Sequence, residues 1–319
     1  MPKLYCFLLF SLLSFTAHGQ QTRIVSEDVP LFWRAFDAAA AEPDTLKKAD
    51  ILRQLYLENG SAGVRAMMNI RHWEPMKFIH SFQRYPAYWT TVRHLTLQAV
   101  GHANELELIF QRYQQLYPAF KTPVLYFVMG YGGTGGTTTE HEILIGTEIA
   151  AGDSTVNAAG MHPFLQHYFK INKGIMHLVA HEITHTQQPG GDMEDRRNSN
   201  LLGFCLAEGV CDFMAELLLQ EELQTPYILY GKQHEKELWL KFTKQLHGKD
   251  ISNWLYNGAV KGELSDLGYY MGYIICKSFY YHHSDKAEAI RQLLSLPYED
   301  TAGLDHFLRL SRYNGKFYK

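Results

Sequence analysis

Two histidines four residues apart, with a glutamate beside the first, constrain this chain more than any other feature: His181-Glu182-Ile183-Thr184-His185. Four residues is close to one helical turn, so on a helix both imidazoles stand on one face and can close on a single metal ion. The neighbouring residues ask for that helix. Ile175, Leu178, Val179 and Ile183 form an apolar stripe at helical spacing, Gly174 opens the segment and Pro189-Gly190-Gly191 closes it. Glu182 points to the edge of the histidine face, where it can take a proton from an attacking water without being a ligand. His177 shares the face, but a third ligand there is crowded along one straight helix, so it is expected to pack or to face solvent. Histidine is common here, at 16 of 319 residues, so the pattern alone decides little. The context has to decide.

That context is Leu206-Ala207-Glu208-Gly209-Val210-Cys211-Asp212-Phe213. The distance from His185 leaves room for a loop and a returning helix, which would bring Glu208 to the open side of the two histidines. Asp212 follows one turn later on the same face, placed to accept the other ring N–H of a ligating histidine and so fix its tautomer. Two histidines and one glutamate leave a fourth position of a tetrahedral ion open, as in a catalytic rather than a closed structural zinc site. The competing reading is a pair of surface acids on an amphipathic helix.

Upstream the pattern is different. Pro123–Met129 is a short β-branched and aromatic run, and Ile143–Ile145 is a second; both read as strands. Between them lies Gly130-Tyr131-Gly132-Gly133-Thr134-Gly135-Gly136. A phosphate-binding loop is ruled out, because no Gly-Lys-Ser/Thr follows and the loop runs into a strand. Two strands joined by a glycine loop fit better, with an edge strand able to hold extended substrate by backbone pairing; a plain hairpin is the simpler alternative. Residues 20–120 read as a helical scaffold, with Asp44 capping one helix, and 121–319 as the part that carries the site and a helical C-terminal region. Gly268 and Gly272, four apart, would let a second helix approach closely.

The HEITH sequence followed by Glu208-x-x-x-Asp212 resembles the gluzincin branch of zinc metallopeptidases. The resemblance implies His181, His185 and Glu208 as ligands of one catalytic Zn2+, Glu182 as general base and Asp212 as the residue behind the ligands. Further stretches are similar to the predicted secreted zinc-dependent proteases related to gliding-motility lipoprotein B: Leu31–Asp37, Tyr56-x-x-x-Gly60-Ser61-x-Gly63, the strand with its glycine loop, and Gly268–Tyr273. The chain departs from the lipoprotein members in having no lipid-accepting cysteine.

The first residues read as an address. Lys3, the apolar run Leu4–Phe15 and Ala17-His18-Gly19 describe a signal peptide (residues 1–19) cleaved after Gly19, giving an exported, periplasmic or secreted protein. No later segment has the length of a membrane span. Three cysteines remain after cleavage, and Cys205 and Cys211 are about 9 Å apart along a helix, too far for a disulfide. With 30 basic and 33 acidic residues and no basic run, nucleic acid is excluded as a partner.

The sequence therefore predicts an α+β, predominantly helical, zincin-like domain with a small β-sheet, which hydrolyses peptide bonds of a peptide or protein substrate. Tyr269, Tyr270 and Tyr273 are candidate donors to the oxyanion of its tetrahedral intermediate. Two rivals stand beside this reading: a non-catalytic exported binding or assembly factor of the same fold, and an all-helical structural protein in which the motif is accidental.

Overall fold

A computed structural model describes residues 24–172, 174–189, 198–258 and 265–317. The signal peptide with its cleavage point, and residues 190–197 of the polar loop after the histidine helix, lie outside the described residues. Six helices follow the two-residue strand β1 (Ile24–Val25): α1 (Asp28–Ala41), α2 (Thr45–Leu52, continued by a π-turn over Arg53–Leu57), α3 (Ala62–Arg71), α4 (Pro75–Arg84), α5 (Pro86–Ala99) and α6 (Ala103–Leu116). Their starts are written in the sequence. Asp44 accepts the Lys47 N–H at 2.9 Å, Ser61 accepts the Gly63 N–H, and Pro75 and Pro86 stand in first turns where no N–H is needed. Phe32, Trp33, Phe36, Phe82 and Trp89 interlock edge to face as the scaffold's core.

The scaffold is fastened to the sheet by polar contacts. Tyr56 donates its hydroxyl to the Met129 carbonyl at 2.7 Å and accepts the Met129 N–H at 2.8 Å, so the end of strand β2 (Val124–Val128) is held from both sides. Gly63 lies against the Tyr126 ring so closely that a side chain there would displace it. Tyr56 and Gly63, singled out in the sequence, thus hold the strand that leads into the glycine loop, while Ser61 caps the helix that carries Gly63.

The sheet has the order β1-β2-β4-β3, with β3 at Gly136–Thr138 and β4 at Glu142–Gly146. Both expected strands form, with the short β3 between them in the chain, and the simpler alternative of a plain hairpin does not hold. β2 and β4 are parallel neighbours, registered from Val124 opposite Glu142 to Val128 opposite Gly146. The hairpin partner of β4 is β3, which is antiparallel to it and forms the edge of the sheet. The glycine loop carries the chain across the top of β4 before β3 returns. It is held there by Glu148 in the short helix α7 (Thr147–Ala150), whose carboxylate accepts the N–H groups of Gly130 (2.9 Å) and Gly132 (3.1 Å). Burial pushes that carboxyl up to about 7, against the pull of the two amides. Gly132 adopts φ +92°, a left-handed conformation that favours glycine.

Helices α8 (Pro163–Ile171), α9 (Ile175–His185), α10 (Leu201–Leu219) and α11 (Pro226–Phe242) follow, then α12 (Leu267–His282), α13 (Lys286–Leu294) and α14 (Thr301–Ser311). α10 is buried nearly all round, packed between α9 and α12. Its approach to α12 is set by glycines: a Cβ on Gly272 would fall within the Cys205 carbonyl, and one on Gly209 would meet the Gly272 and Tyr273 backbone. The described cysteines, Cys205, Cys211 and Cys276, are buried and outside any disulfide among the described residues. No helix among the described residues is long and apolar enough to cross a membrane.

Candidate metal centre

Three acids break the apolar surface of α10: Glu208, Asp212 and Glu216, each four residues from the next and therefore stacked along one face. All three are buried, so each must find a partner. Glu216 pairs with the buried Lys277 at 2.9 Å and accepts the Tyr273 hydroxyl. Glu208 and Asp212 turn to α9, where His181 and His185 are also buried.

The protons in this cluster can be placed by elimination. His181 Nδ1 is 2.9 Å from Asp212 Oδ1, and a carboxylate only accepts, so the ring carries its proton on Nδ1. Gln188 donates its amide to the Ala207 carbonyl at 2.8 Å, which turns its oxygen to His185 Nδ1 at 3.0 Å, so His185 also carries its proton on Nδ1. Both Nε2 atoms then offer lone pairs to the same place, and so does Glu208 Oε2, 3.3 Å from His181 Nε2 and 3.4 Å from His185 Nε2. Three acceptors converging in a buried site repel one another unless a cation lies among them. A proton or a metal ion would serve. Their separations match the edge of a tetrahedron around zinc, about 3.3–3.4 Å for bonds of about 2.0–2.1 Å. Two imidazoles and a carboxylate fit such an ion.

The electrostatics agree. A proton on His181 Nε2 is the cation favoured when no metal takes that place: burial alone would lower the His181 pKa, yet Asp212 and Glu208 carry it well above the ordinary imidazole value, and a metal ion would have to displace that proton. Burial would raise Glu208, and the two histidines hold it well below the usual carboxylate range. Asp212 is likewise brought to about 2 against burial, by His177 and His181. The acids are ionised and built to face positive charge.

A second donor combination is present. Cys211 Sγ joins His181 and His185 in a group whose donor atoms lie within 4.8 Å of one another, and this group could hold a metal ion. The sulfur, however, sits 3.3 Å from His185 Nδ1, the nitrogen that carries the proton, and donates to the Ala207 carbonyl. It stands behind the ring, and the lone pairs point to Glu208.

The expected residues are accordingly brought together: His181, His185 and Glu208 converge, and Asp212 backs His181. Glu182 stands beside them without bonding to the three, partly exposed, and next to β3: a Cβ on Gly136 would lie 3.5 Å from its Oε1. His177 reaches Asp212 Oδ1 at 3.5 Å and lines the cleft rather than joining the donors. Of the three tyrosines proposed from sequence, Tyr269 alone is here, its ring stacked 6.1 Å from His181. Tyr270 and Tyr273 are turned into the core, Tyr273 onto Glu216.

Sequence reasoning missed Gln188, Tyr227 and Tyr256. Tyr227 donates to Asp212 Oδ2 at 2.8 Å, leaving Oδ1 for the histidines. Tyr256 donates to Glu208 Oε1 at 2.7 Å, leaving Oε2 to face both Nε2 atoms. Its backbone is left-handed, φ 53°, a cost for a bulky residue that aims the ring at the site. Gln188 carried a signal, lying one turn past His185 near the helix end; the tyrosines carried none. Burial, then the charge of Asp212, drives the Tyr227 phenol well above its usual range, so it stays a donor. Tyr227→Phe and Tyr256→Phe are each expected to weaken metal affinity about 10–100-fold, read by competition with a chromogenic chelator. Unchanged affinity in both would show that the tyrosines do not set the donors.

Among known proteins, residues 152–302 match the model of a family described as predicted Zn-dependent protease (DUF2268), a span just under half of the chain that includes α8 to α13 and the first residues of α14. No curated protein and no solved structure matches the chain.

Proposed function

We propose that this chain is an exported zinc-dependent peptidase with a zincin-like site of the gluzincin kind, in which His181, His185 and Glu208 hold one zinc. The observation that carries the reading is the meeting of two imidazole lone pairs and one carboxylate oxygen at separations of 3.3 and 3.4 Å, with Glu182 beside them. The family match over residues 152–302 supports it. A zinc ion held there supplies Lewis acidity toward a scissile carbonyl and a nearby water.

The chain's own groups account for the rest. Glu182 Oε takes the proton of the attacking water and delivers it to the leaving amine, which requires a carboxylate near the donors but not among them. Asp212 keeps His181 in the tautomer that offers Nε2, and Gln188 does so for His185. Tyr269, over His181, is the nearest of the sequence candidates to where an oxyanion would form. β3 presents the open edge of the sheet next to Glu182, so an extended peptide can pair with it as an added strand. Export belongs to the same proposal and rests on the apolar run Leu4–Phe15 and the small residues before Gln20.

The test is metal analysis joined to a cleavage assay. Purified protein is expected to hold about one zinc per chain and His181→Ala less than about 0.1. Chelation should abolish cleavage of a peptide library, and added zinc should restore it. A folded protein without zinc would remove the reading. One zinc without cleavage would leave the site but favour a binding or assembly factor.

A further inference from the structure

Strand β3 pairs with β4 over three positions, from Gly136 opposite Ile145 to Thr138 opposite Ile143. A ladder this short does not fix its own place, so the edge beside Glu182 is set by the chain that leads into it. That chain is gripped residue by residue. Tyr56 holds Met129, Glu148 Oε2 accepts the Gly130 N–H, Ser81 donates to the Tyr131 carbonyl at 3.0 Å, and Glu148 Oε1 accepts the Gly132 N–H. From Gly133 to Gly135 no side chain outside the loop bonds to it among the described residues. The Gly135 carbonyl then accepts the Gly146 N–H at 3.0 Å, and β3 begins.

The last side chain to hold the loop before the edge strand is therefore Glu148. It is fully buried, and its partners are backbone N–H groups of the loop and of its own helix. Gly130 and Gly132 are fitted to it. A Cβ on Gly130 would stand 2.7 Å from Glu148 Oε1, and Gly132 takes the left-handed φ of +92° at which its N–H meets the carboxyl. At the other end of the loop, a Cβ on Gly136 would lie 3.5 Å from Glu182 Oε1. A shift at the grip is thus passed through a few glycine-rich residues to the strand beside the proposed base. Two oxygens are needed for two amides, because an amide nitrogen in place of one oxygen can only donate.

Resting on the peptidase reading, we propose that Glu148 is a positioning residue for peptide binding: by accepting the Gly130 and Gly132 N–H groups it sets the glycine loop, and so holds the β3 edge where a peptide backbone can pair with it beside Glu182. Glu148 touches neither the peptide nor the metal donors. It acts on the fraction of molecules in which the edge strand is in place, and the apparent Kd for peptide rises as that fraction falls. The metal centre itself is left as it was.

Two probes separate the edge strand from the metal. Acetohydroxamate meets the zinc alone, whereas the hydroxamate of trialanine adds a peptide backbone and no large side chain. Their affinities are measured on zinc-loaded, full-length wild-type protein and on Glu148→Gln, with zinc content in parallel. Trialanine hydroxamate should bind the wild type more tightly than acetohydroxamate, and Glu148→Gln should shrink that advantage by about tenfold, the effect of leaving one buried donor unpaired. Zinc content and acetohydroxamate affinity should not change. Equal weakening of both probes, or an undiminished advantage in a folded Glu148→Gln variant, overturns the positioning role. So does equal affinity of the two probes for the wild type. Gly132→Ala tests the grip without altering Glu148: its Cβ would meet only Met161 at 3.6 Å, but alanine disfavours φ +92°. It should shrink the advantage by about tenfold as well, and an undiminished advantage there overturns the proposal even if Glu148→Gln fails to fold. Absence of peptide-library cleavage by the folded, zinc-loaded wild type overturns the peptidase reading, and is read independently of both hydroxamates.

Discussion

Glu182→Gln is expected to remove turnover and leave the metal in place. The exchange keeps the shape of the side chain and deletes only its ability to take a proton. Glu182 is not one of the three converging donors, so zinc content and melting temperature should stay at the wild-type values. General-base catalysis contributes about 10²–10⁴-fold, and this is the loss of kcat expected. KM should change little, because the carboxylate acts on the proton in flight more than on the bound peptide. His181→Ala is the informative contrast. It should lose metal and activity together, since it removes a donor and takes from Asp212 the histidine that it holds at 2.9 Å. Full activity in Glu182→Gln would take the base role from this residue. Loss of zinc would mean that it ligates after all.

The parts of this site that the sequence disclosed are those set by a single helix. His181 and His185, or Glu208 and Asp212, are one turn apart whatever the rest of the fold does, so their relative placement follows from α-helical geometry alone. Asp44 as a cap and Gly272 as a contact point belong to the same class, because each requires only local backbone and a small residue. What stayed hidden depends on how segments meet. Tyr256 reaches Glu208 only because its loop takes a left-handed turn, and Tyr227 reaches Asp212 only because α11 folds back past the end of α10. The pairing within the sheet stayed open for a related reason. β2 and β4 have the same alternation whether they pair as a hairpin or in parallel, and the intervening β3 is only three residues, too short to register as a strand. β1, at two residues, left no trace. Spacing alone put Glu208 forward as third donor, and what the structure adds is that the Cys211 sulfur, on the same helix, lies against His185 Nδ1 rather than Nε2.

Gly272→Ala is expected to be the most damaging single methyl in the described chain, and to damage the metal centre from a distance. The new Cβ would coincide with the Cys205 carbonyl on the facing helix, an obstacle that no side-chain rotation relieves. α10 and α12 would have to move apart. Overpacking a rigid interface costs about 1–3 kcal/mol, and a clash with backbone belongs at or beyond the upper end. For a chain somewhat longer than the about 150–250 residues for which 1 kcal/mol shifts the melting point by about 2–4 °C, this is a fall of roughly 6–12 °C. The displacement also reaches the site, because Gly209, which meets Gly272, lies between Glu208 and Asp212 on α10. Donors must be held to within about 0.5 Å to bind well, so zinc affinity should drop along with the melting temperature. Gly133→Ala is the control: Gly133 is exposed, its added Cβ would meet only the Tyr131 ring at 3.7 Å, and stability should change by about 0.5 kcal/mol or less. Differential scanning calorimetry and chelator competition on the two variants measure both effects. A Gly272→Ala protein with wild-type melting and wild-type zinc affinity would show that α10 is not positioned by α12, and that something else aims Glu208 and Asp212 at the histidines.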